Sequence, residues 1–201
     1  MVSKLKTPKN YNMKFSSDLV IYDLEGSCKT FGKNEINETN IIEIGAVKLD
    51  KKTFEIKSEF SILIKPKHFP ILPEITDITN ITNEMVENEK YFDEAILLFL
   101  DWYGEKNKST LAGWGLYYDL PLLRKEFTEF RFDYNKYFVG GGFDIRALGV
   151  YWLAKNNIST SGISLERVLE KMNVKEDFKF HRALDDAKAT ALILQQILNE
   201  K

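Results

Sequence analysis

The chain has 201 residues and a mass of 23.4 kDa, of which 44% are hydrophobic, 13% aromatic and 29% charged. This composition excludes a disordered or fibrous chain. The formal net charge of −2 argues against a protein that holds long duplex DNA by charge alone, since such proteins present a dominant basic surface. The composition leaves room for an enzyme that grips a short nucleic-acid end.

The sequence contains no apolar run of about 18 residues, the length that a membrane helix requires. The basic and polar N-terminus lacks the apolar segment of a secretory signal. The single cysteine, Cys28, cannot form an internal disulfide, which fits a reducing compartment. We therefore expect a cytoplasmic protein without membrane contact, in which residues 1–17 form a polar lead-in and residues 18–201 form one domain.

The first part of the domain predicts three strands in an antiparallel meander. Residues 19–22 form a short, β-rich apolar run, residues 41–49 form a second, and residues 53–64 alternate apolar and polar side chains. Short connections between the strands favour antiparallel pairing, and residues 31–40 predict a polar loop.

The rest of the chain predicts helices that alternate with strands. Three prolines break the chain between residues 66 and 73, and short helical pieces are expected through residue 88. The later elements are predicted as a helix over 91–103, a strand over 109–114, a helix over 120–130, a glycine loop at 140–142, a helix over 145–155 capped by Asp144, a helix ending near 172 capped by Ser164, and a last helix from 182 or 183 to about 199. This order indicates an α/β fold with a mixed sheet.

Acidic side chains follow two of the predicted strands. Asp23 and Glu25 come directly after the first strand, and the alternation of strand side chains points both to one face. Neighbouring carboxylates repel each other unless a cation lies between them. Asp119 lies where a strand crosses into a helix, a place that commonly lines a ligand site in open α/β sheets. Taken alone, the first pair also fits a solvated strand end, and Asp119 fits an ordinary helix cap.

The last acidic pair, Asp185 and Asp186, opens the final helix, and Asp186 follows one of the two histidines of the chain, His181, by five residues. Adjacent helix residues point about 100° apart. Asp186 shares a face with Thr190 and Ile193, so it is predicted to turn inward, toward the sheet. Asp185 lies on a polar face and is predicted to point to water.

The order and spacing of Asp23, Glu25, Asp119, His181 and Asp186 resemble the DEDDh family of 3′–5′ exonucleases, which have an RNase H-like fold. The resemblance runs from about residue 18 to residue 199 and includes three further segments: IIEIGAVKLD at 41–50, ITNITNEMV at 78–86 and ISLERVLEKMNV at 163–174. It implies a central mixed five-stranded sheet flanked by helices. It also implies a metal-dependent enzyme that shortens single-stranded nucleic acid from the 3′ end and releases nucleoside 5′-monophosphates.

The resemblance also implies the roles of these residues. Asp23, Glu25 and Asp186 would hold one of two divalent ions. Asp119, together with Asp23, would hold the second, and His181 would take the proton from the attacking water. Carboxylate ligands suit hard cations, so we expect Mg²⁺, for which Mn²⁺ can substitute.

Contacts to the substrate are expected from residues around the metal ligands. The backbone of Leu24, Gly26 and Ser27 would contact the nucleotide, and Ile81 would wedge against the terminal base. Trp114 could stack on a base, with core packing as the favoured alternative.

Two residues depart from the family pattern or lie beside it. Asn80 stands where the family often has glycine, and because Asn tolerates a left-handed backbone, we expect the turn to survive. Glu43 lies in the second predicted strand, where it fits either a supporting role beside the metal ligands or a solvent-facing position.

The residues after Glu25 bear on the choice of substrate. Gly26, Ser27 and Cys28 stand where many DNA-directed members carry Thr-Gly. A cysteine there resembles the RNA-trimming (enhanced-RNAi exonuclease-like) branch and its bacterial relatives, which favours RNA 3′ ends over DNA 3′ ends. Cys28 also fits a simple packing role.

Two other functions compete with this interpretation. A catalytically inactive module that binds nucleic acid or protein is disfavoured, because the acidic set is intact. A DNA exonuclease of the proofreading or repair type remains the main alternative. A polymerase subunit would be expected to carry a docking tail, and the sequence ends at Lys201, just after the last predicted helix.

Overall fold

The computed structural model describes residues 13–28, 35–176 and 178–199. Parts of the predicted lead-in (1–12) and of the predicted loop (31–34) lie outside these residues. The described strands are β1 (Asp18–Gly26), β2 (Ile41–Leu49), β3 (Ile56–Leu63), β4 (Ser109–Gly113) and β5 (Phe143–Asp144). The described helices are α1 (Pro73–Thr79), α2 (Asn83–Val86), α3 (Phe92–Tyr103), α4 (Asp119–Glu129), α5 (Tyr134–Tyr137), α6 (Ile145–Lys155), α7 (Leu165–Lys171) and α8 (Ala183–Asn199), with a short 3₁₀ helix at Glu35–Glu38. No helix among the described residues combines the length and the hydropathy needed to cross a membrane.

The five strands form one mixed sheet in the order β3-β2-β1-β4-β5. The pairs β1–β2 and β2–β3 are antiparallel, whereas β1–β4 and β4–β5 are parallel. The expected five-stranded mixed sheet and its antiparallel meander are therefore confirmed. The strand β5 was not predicted, because two residues are too short to show an alternating pattern.

Most predicted elements agree with the structure to within a few residues, and two agree in both bounds: β2 and α6. The predicted caps are also confirmed. The Asp144 side chain accepts the backbone N–H of Arg146, and the Ser164 side chain accepts that of Arg167. The first strand is longer than predicted, because β1 continues through its charged residues to Gly26.

Strand β1 lies between two hydrophobic cores. Tyr22 and Leu24 point into the core that β1 and β2 share with α3 and α4, whereas Leu19 and Ile21 point into the core with α6, α7 and α8. The same alternation directs the side chains of Asp23 and Glu25 to the α8 side of the sheet. The prediction that these two carboxylates share a face is thus confirmed by the way β1 packs.

The first turn of α8 lies directly against strand β2 at Gly45, which pairs with Asp23 of β1. A Cβ atom on Gly45 would lie 2.0 Å from the backbone nitrogen of Leu184 and 2.1 Å from the carbonyl carbon of Ala183. Both are backbone atoms, which cannot move aside as a flexible side chain can. A glycine here allows α8 to begin within reach of the carboxylates on β1.

We predict that Gly45→Ala lowers the free energy of unfolding by about 3 kcal/mol, because the added methyl group would overlap the α8 backbone. Urea denaturation monitored by circular dichroism measures this change. Gly141→Ala is the matched control, since a Cβ on Gly141 would meet only Leu120 Cδ2, at 3.4 Å. It should cost about 0.5 kcal/mol or less. Equal effects of the two substitutions would contradict the close contact at Gly45.

Candidate active site

A cleft of about 480 Å³ opens at the end of β1. It collects residues that lie far apart in sequence, from β1, α1, the β4–α4 loop and the start of α8. All four predicted metal ligands and the predicted base line it: Asp23, Glu25, Asp119, His181 and Asp186. The structure therefore brings the five residues of the motif to one place.

Three of the carboxylates form a compact cluster. Asp23, Glu25 and Asp186 each offer one oxygen, and these oxygens lie within 4.8 Å of one another. The Oδ2 atom of Asp186 accepts the backbone N–H of His181 at 3.1 Å. Its Oδ1 atom is buried and has no hydrogen-bond partner among the described residues. A buried, unpartnered carboxylate oxygen beside two further carboxylates fits a hard divalent cation such as Mg²⁺.

Asp119 reaches the same cleft from the first residue of α4, where it is 4% exposed. Its Oδ1 atom accepts the backbone N–H of Leu24 at 3.2 Å. The alternative of an ordinary helix cap is wrong, because Tyr118 occupies the cap position. The carboxylate instead ties the start of α4 to β1, which holds it beside the other acidic side chains.

Burial and mutual repulsion raise the pKa values of all four carboxyl groups. Removal from water raises the pKa of Asp23 and of Glu25 well above the usual range, and the neighbouring carboxylates raise both further. Burial also raises the pKa values of Asp119 and Asp186 to about 7. Such shifts in one cleft are typical of a functional site.

Glu43 supports this cluster from the neighbouring strand. Its side chain is 1% exposed, so the solvent-facing alternative is wrong, and it lies opposite Glu25 in the β1–β2 pair. It accepts two hydrogen bonds from Arg182, from Nη2 at 2.7 Å and from Nε at 3.1 Å, and a third from the backbone N–H of Ala183 at 3.0 Å. Glu43 thus fastens the residues that lead into α8, and Arg182 neutralises its charge.

The loop before α8 is held by both aspartates of the acidic pair. Asp185 is partly exposed, in agreement with its predicted place on a polar face, and its carboxylate also accepts the backbone N–H of Lys179 at 3.0 Å. Asp186 holds the backbone of His181, as described above. His181 itself is exposed, has a left-handed backbone (φ 62°) and lines the cleft. Two local hydrogen bonds therefore set the position from which the imidazole faces the cleft.

Helix α1 contributes Ile75, Ile78 and Thr79 to the cleft. Asn80 ends α1 in the left-handed conformation (φ 57°), which confirms the turn expected there. After this turn, Ile81 enters a separate small core and is fully buried. The expected contact between Ile81 and a terminal base is therefore wrong, and Ile78 is the nearest isoleucine of this segment that lines the cleft.

The remaining predicted contact residues divide into two groups. Leu24, Gly26 and Trp114 line the cleft. Ser27 does not, because it is fully buried, and its hydroxyl accepts the backbone N–H of Asn40 at 3.0 Å. Trp114 also packs against α6, where a Cβ on Gly149 would lie 2.7 Å from the ring. The expected core packing of Trp114 is confirmed, and its place beside the cleft keeps stacking on a base as a prediction.

A buried polar network connects the segment before α1 to α4. The side-chain oxygen of Asn40 accepts the backbone N–H groups of His68 and Phe69 at 3.0 and 3.2 Å. Its amide donates to Glu126 of α4 at 2.9 Å. Because α4 also carries Asp119, this network fixes the segment that leads to α1 relative to a metal-ligand candidate.

Comparison with known proteins identifies the family. A model described as an exonuclease, RNase_T, matches residues 20–194. The chain belongs to this exonuclease family. Exonucleases of this family use divalent metals. The nuclease domain of 3′hExo, a DEDDh family member bound to rAMP, has the same fold: its TM-score is 0.75 at 24% identity, over 90% of this chain and 92% of that domain.

Relatives of the exonuclease domain carry names that refer to both DNA and RNA. The PolC-type DNA polymerase III of Clostridium perfringens is 32% identical over 90% of this chain, and the match covers 11% of the polymerase. The DNA polymerase III subunit epsilon of Aquifex aeolicus is 27% identical over 96% of this chain and 88% of the subunit. Mouse ERI1 exoribonuclease 2 is 24% identical over 90% of this chain and 28% of that protein. The chain thus spans about a tenth of the PolC-type polymerase.

We predict that the metal-free protein loses stability as the pH rises from about 4 to about 7. The folded state holds protons on Asp119 and Asp186 up to about pH 7, whereas the unfolded chain releases them near the ordinary Asp pKa of about 4. The folded state therefore binds more protons in this window, and the free energy of unfolding falls as the pH rises through it. Thermal melts in EDTA across this range measure the change.

In the same melts, added Mg²⁺ should raise the melting temperature more at pH 7.5 than at pH 5, because the ion binds the deprotonated carboxylates of the folded state. A melting temperature that rises with pH in EDTA would contradict the raised pKa values, and one that does not respond to Mg²⁺ would contradict the metal site.

We predict that substitution of Asp186 abolishes metal binding and activity, whereas substitution of its neighbour Asp185 does not. Asp186→Asn should abolish the Mg²⁺-induced rise in melting temperature and the nuclease activity, because a neutral amide is a poor ligand for a hard cation. In EDTA it should melt at a higher temperature than the wild type, since one repelling charge is removed. Asp185→Asn keeps an oxygen that can accept the Lys179 N–H, so both activity and the Mg²⁺ response should persist. The reverse pattern would show that the metal ligand is misplaced by one residue.

Proposed function

We propose that this protein is a 3′–5′ exonuclease that hydrolyses phosphodiester bonds at the 3′ end of single-stranded nucleic acid. RNA is the favoured substrate, and the products are nucleoside 5′-monophosphates. The observation that carries the proposal is the buried, unpartnered Oδ1 atom of Asp186, which lies beside Asp23 and Glu25 in the cleft of an exonuclease-family chain. We also propose a cytoplasmic location, on the basis of the single cysteine.

Each residue of the cleft has a role in this proposal. Asp23, Glu25 and Asp186 would hold one divalent ion, and Asp119 with Asp23 would hold the other, with Mg²⁺ expected and Mn²⁺ able to replace it. Such ions would lower the pKa of a bound water and offset the charge on the leaving oxygen. His181 is the residue that would take the proton from the attacking water.

The positions of these residues follow from contacts within the chain. The imidazole of His181 is exposed in the cleft, while its backbone is held by Asp186. Glu43 and Arg182 fix the adjoining residues through three hydrogen bonds. This attachment is of the kind that keeps a proton acceptor within reach of the reacting atoms.

The shape of the cleft supports a single strand as the substrate. Its volume of about 480 Å³ lies in the range of pockets that hold one small ligand, which fits a terminal nucleotide. Leu24 and Ile78 offer apolar contacts for the terminal base. The net charge of −2 also favours contact with a short end over a long charged duplex.

The choice between RNA and DNA rests on fewer residues. Cys28 lines the cleft beside Gly26, in the position that resembles the RNA-trimming branch. The printed names of mouse ERI1 exoribonuclease 2 and of 3′hExo agree with this choice. The polymerase relatives at 27% and 32% identity support the alternative, a DNA exonuclease of the proofreading or repair type.

Digestion of matched single-stranded RNA and DNA oligonucleotides, labelled at either end, tests the proposal. With Mg²⁺, a 5′ label should give a ladder that shortens stepwise, and a 3′ label should give mononucleotides at once. RNA should be degraded faster than DNA, and EDTA should stop both reactions. Faster degradation of DNA would favour the proofreading or repair alternative, and release of internal fragments from a circular single strand would contradict an exonuclease.

A further inference from the structure

Tyr117 is more exposed than any other large hydrophobic or aromatic side chain that the structure describes, at 80%. It lies in the loop between β4 and α4 and lines the cleft, two residues before Asp119. An aromatic ring that is open to water contributes little to the stability of the fold. Beside a nucleic-acid cleft, it offers a flat surface on which a base can stack.

The loop that carries Tyr117 is fastened to the first turn of α6. Gly115 has a left-handed backbone (φ 68°), and its N–H donates to Asp144 Oδ1 at 3.0 Å. The same oxygen accepts the backbone N–H of Arg146 at 2.9 Å. A Cβ on Gly115 would lie 2.8 Å from Tyr117 Cε1 and 3.1 Å from Arg146 Cδ. The side chains of Tyr117 and Arg146 therefore flank the same glycine at the border of the cleft.

The charge of Arg146 is available at this border. Its guanidinium forms no ion pair or hydrogen bond with the residues in the described ranges, although its neighbour Asp144 is engaged by two backbone N–H groups. The cleft itself presents four carboxylates to a polyanionic substrate. An arginine at its border supplies the positive charge that a phosphate needs, in a geometry that suits two parallel hydrogen bonds.

We infer that Tyr117 and Arg146 form a second nucleotide-binding site, in which the ring stacks on the base next to the terminal one and the guanidinium binds a phosphate of the same strand. This inference rests on the proposed function, since it assigns where the strand leaves the cleft. It also gives a reason for single-strand preference, because a base can stack on Tyr117 only when it is free of a complementary strand.

Steady-state kinetics on single-stranded oligonucleotides of 12 residues test the site. Tyr117→Ala should raise KM about 5- to 100-fold, the range expected from the loss of one base–aromatic stack, while Tyr117→Phe should stay close to the wild type. Arg146→Gln should raise KM and weaken its dependence on salt, since one phosphate contact is lost. Arg146→Lys should restore part of both effects.

Two control variants match these changes in chemistry but lie outside the cleft. Tyr151 is a 61%-exposed tyrosine on α6, and Lys171 is an exposed cation at the end of α7. Tyr151→Ala and Lys171→Gln should leave KM and its salt dependence unchanged. Effects as large as those at Tyr117 and Arg146 would overturn the assignment.

A base-free nucleotide in the substrate identifies the position that Tyr117 contacts. In the wild type, an abasic residue next to the 3′-terminal nucleotide should raise KM by the factor seen for Tyr117→Ala. In the Tyr117→Ala variant, it should cause no further rise, because the ring and the base form one contact. The inference would be overturned if the KM increases from the substitution and from the abasic residue multiplied. It would also be overturned if the two changes failed to multiply only when the abasic residue was the 3′-terminal one.

The same experiment separates the two proposals. If the wild type degrades neither RNA nor DNA from the 3′ end, the proposed function fails. If the wild type degrades them and Tyr117→Ala behaves like the wild type, the proposed function stands and the second site is wrong.

Discussion

The candidate site depends on how closely the first turn of α8 approaches the sheet. Gly45 leaves room for the α8 backbone, since a Cβ there would lie 2.0 Å from the nitrogen of Leu184. Glu43, two residues earlier on the same strand, accepts hydrogen bonds from the backbone N–H of Ala183 and from Nε and Nη2 of Arg182. This contact brings Asp186 within 4.8 Å of the carboxylates on β1. Without this contact, Asp186 would not lie within reach of Asp23 and Glu25.

The same contact places carboxyl groups close together, and the rest of the fold offsets their mutual repulsion only in part. Four carboxyl groups with raised pKa values share one cleft, and Glu43 adds a fifth carboxylate directly opposite Glu25. Arg182 neutralises Glu43, and the N-terminus of α8 favours the negative charge of Asp186. The cluster at the end of β1 keeps its repulsion, and a divalent cation is the partner that removes it. A bound divalent cation would therefore stabilise the folded chain.

Much of the fold and of the acidic site follows from local patterns in the sequence. The apolar runs predict β1 and β2, and the period of two along β1 places Asp23 and Glu25 on one face. The period of 3.6 along α8 turns Asp186 inward. These inferences hold because the neighbours that decide them lie within a few residues of each other. The left-handed backbone at Asn80 is likewise predicted from the residue itself, because the Asn side chain tolerates that conformation.

Contacts between distant residues were decided by the tertiary structure alone. Many Lys and Arg residues of the sequence could pair with Glu43, and the packing of α8 against the sheet selects Arg182, 139 residues away. Ile78 and Ile81 are chemically identical, yet the chain reversal at Asn80 sends one to the cleft and the other into a core. Tyr117 and Arg146 come to flank the same glycine because Asp144 joins the β4–α4 loop to the first turn of α6. Local sequence determines which elements form and which face is apolar, whereas the partner of a polar side chain depends on how those elements pack.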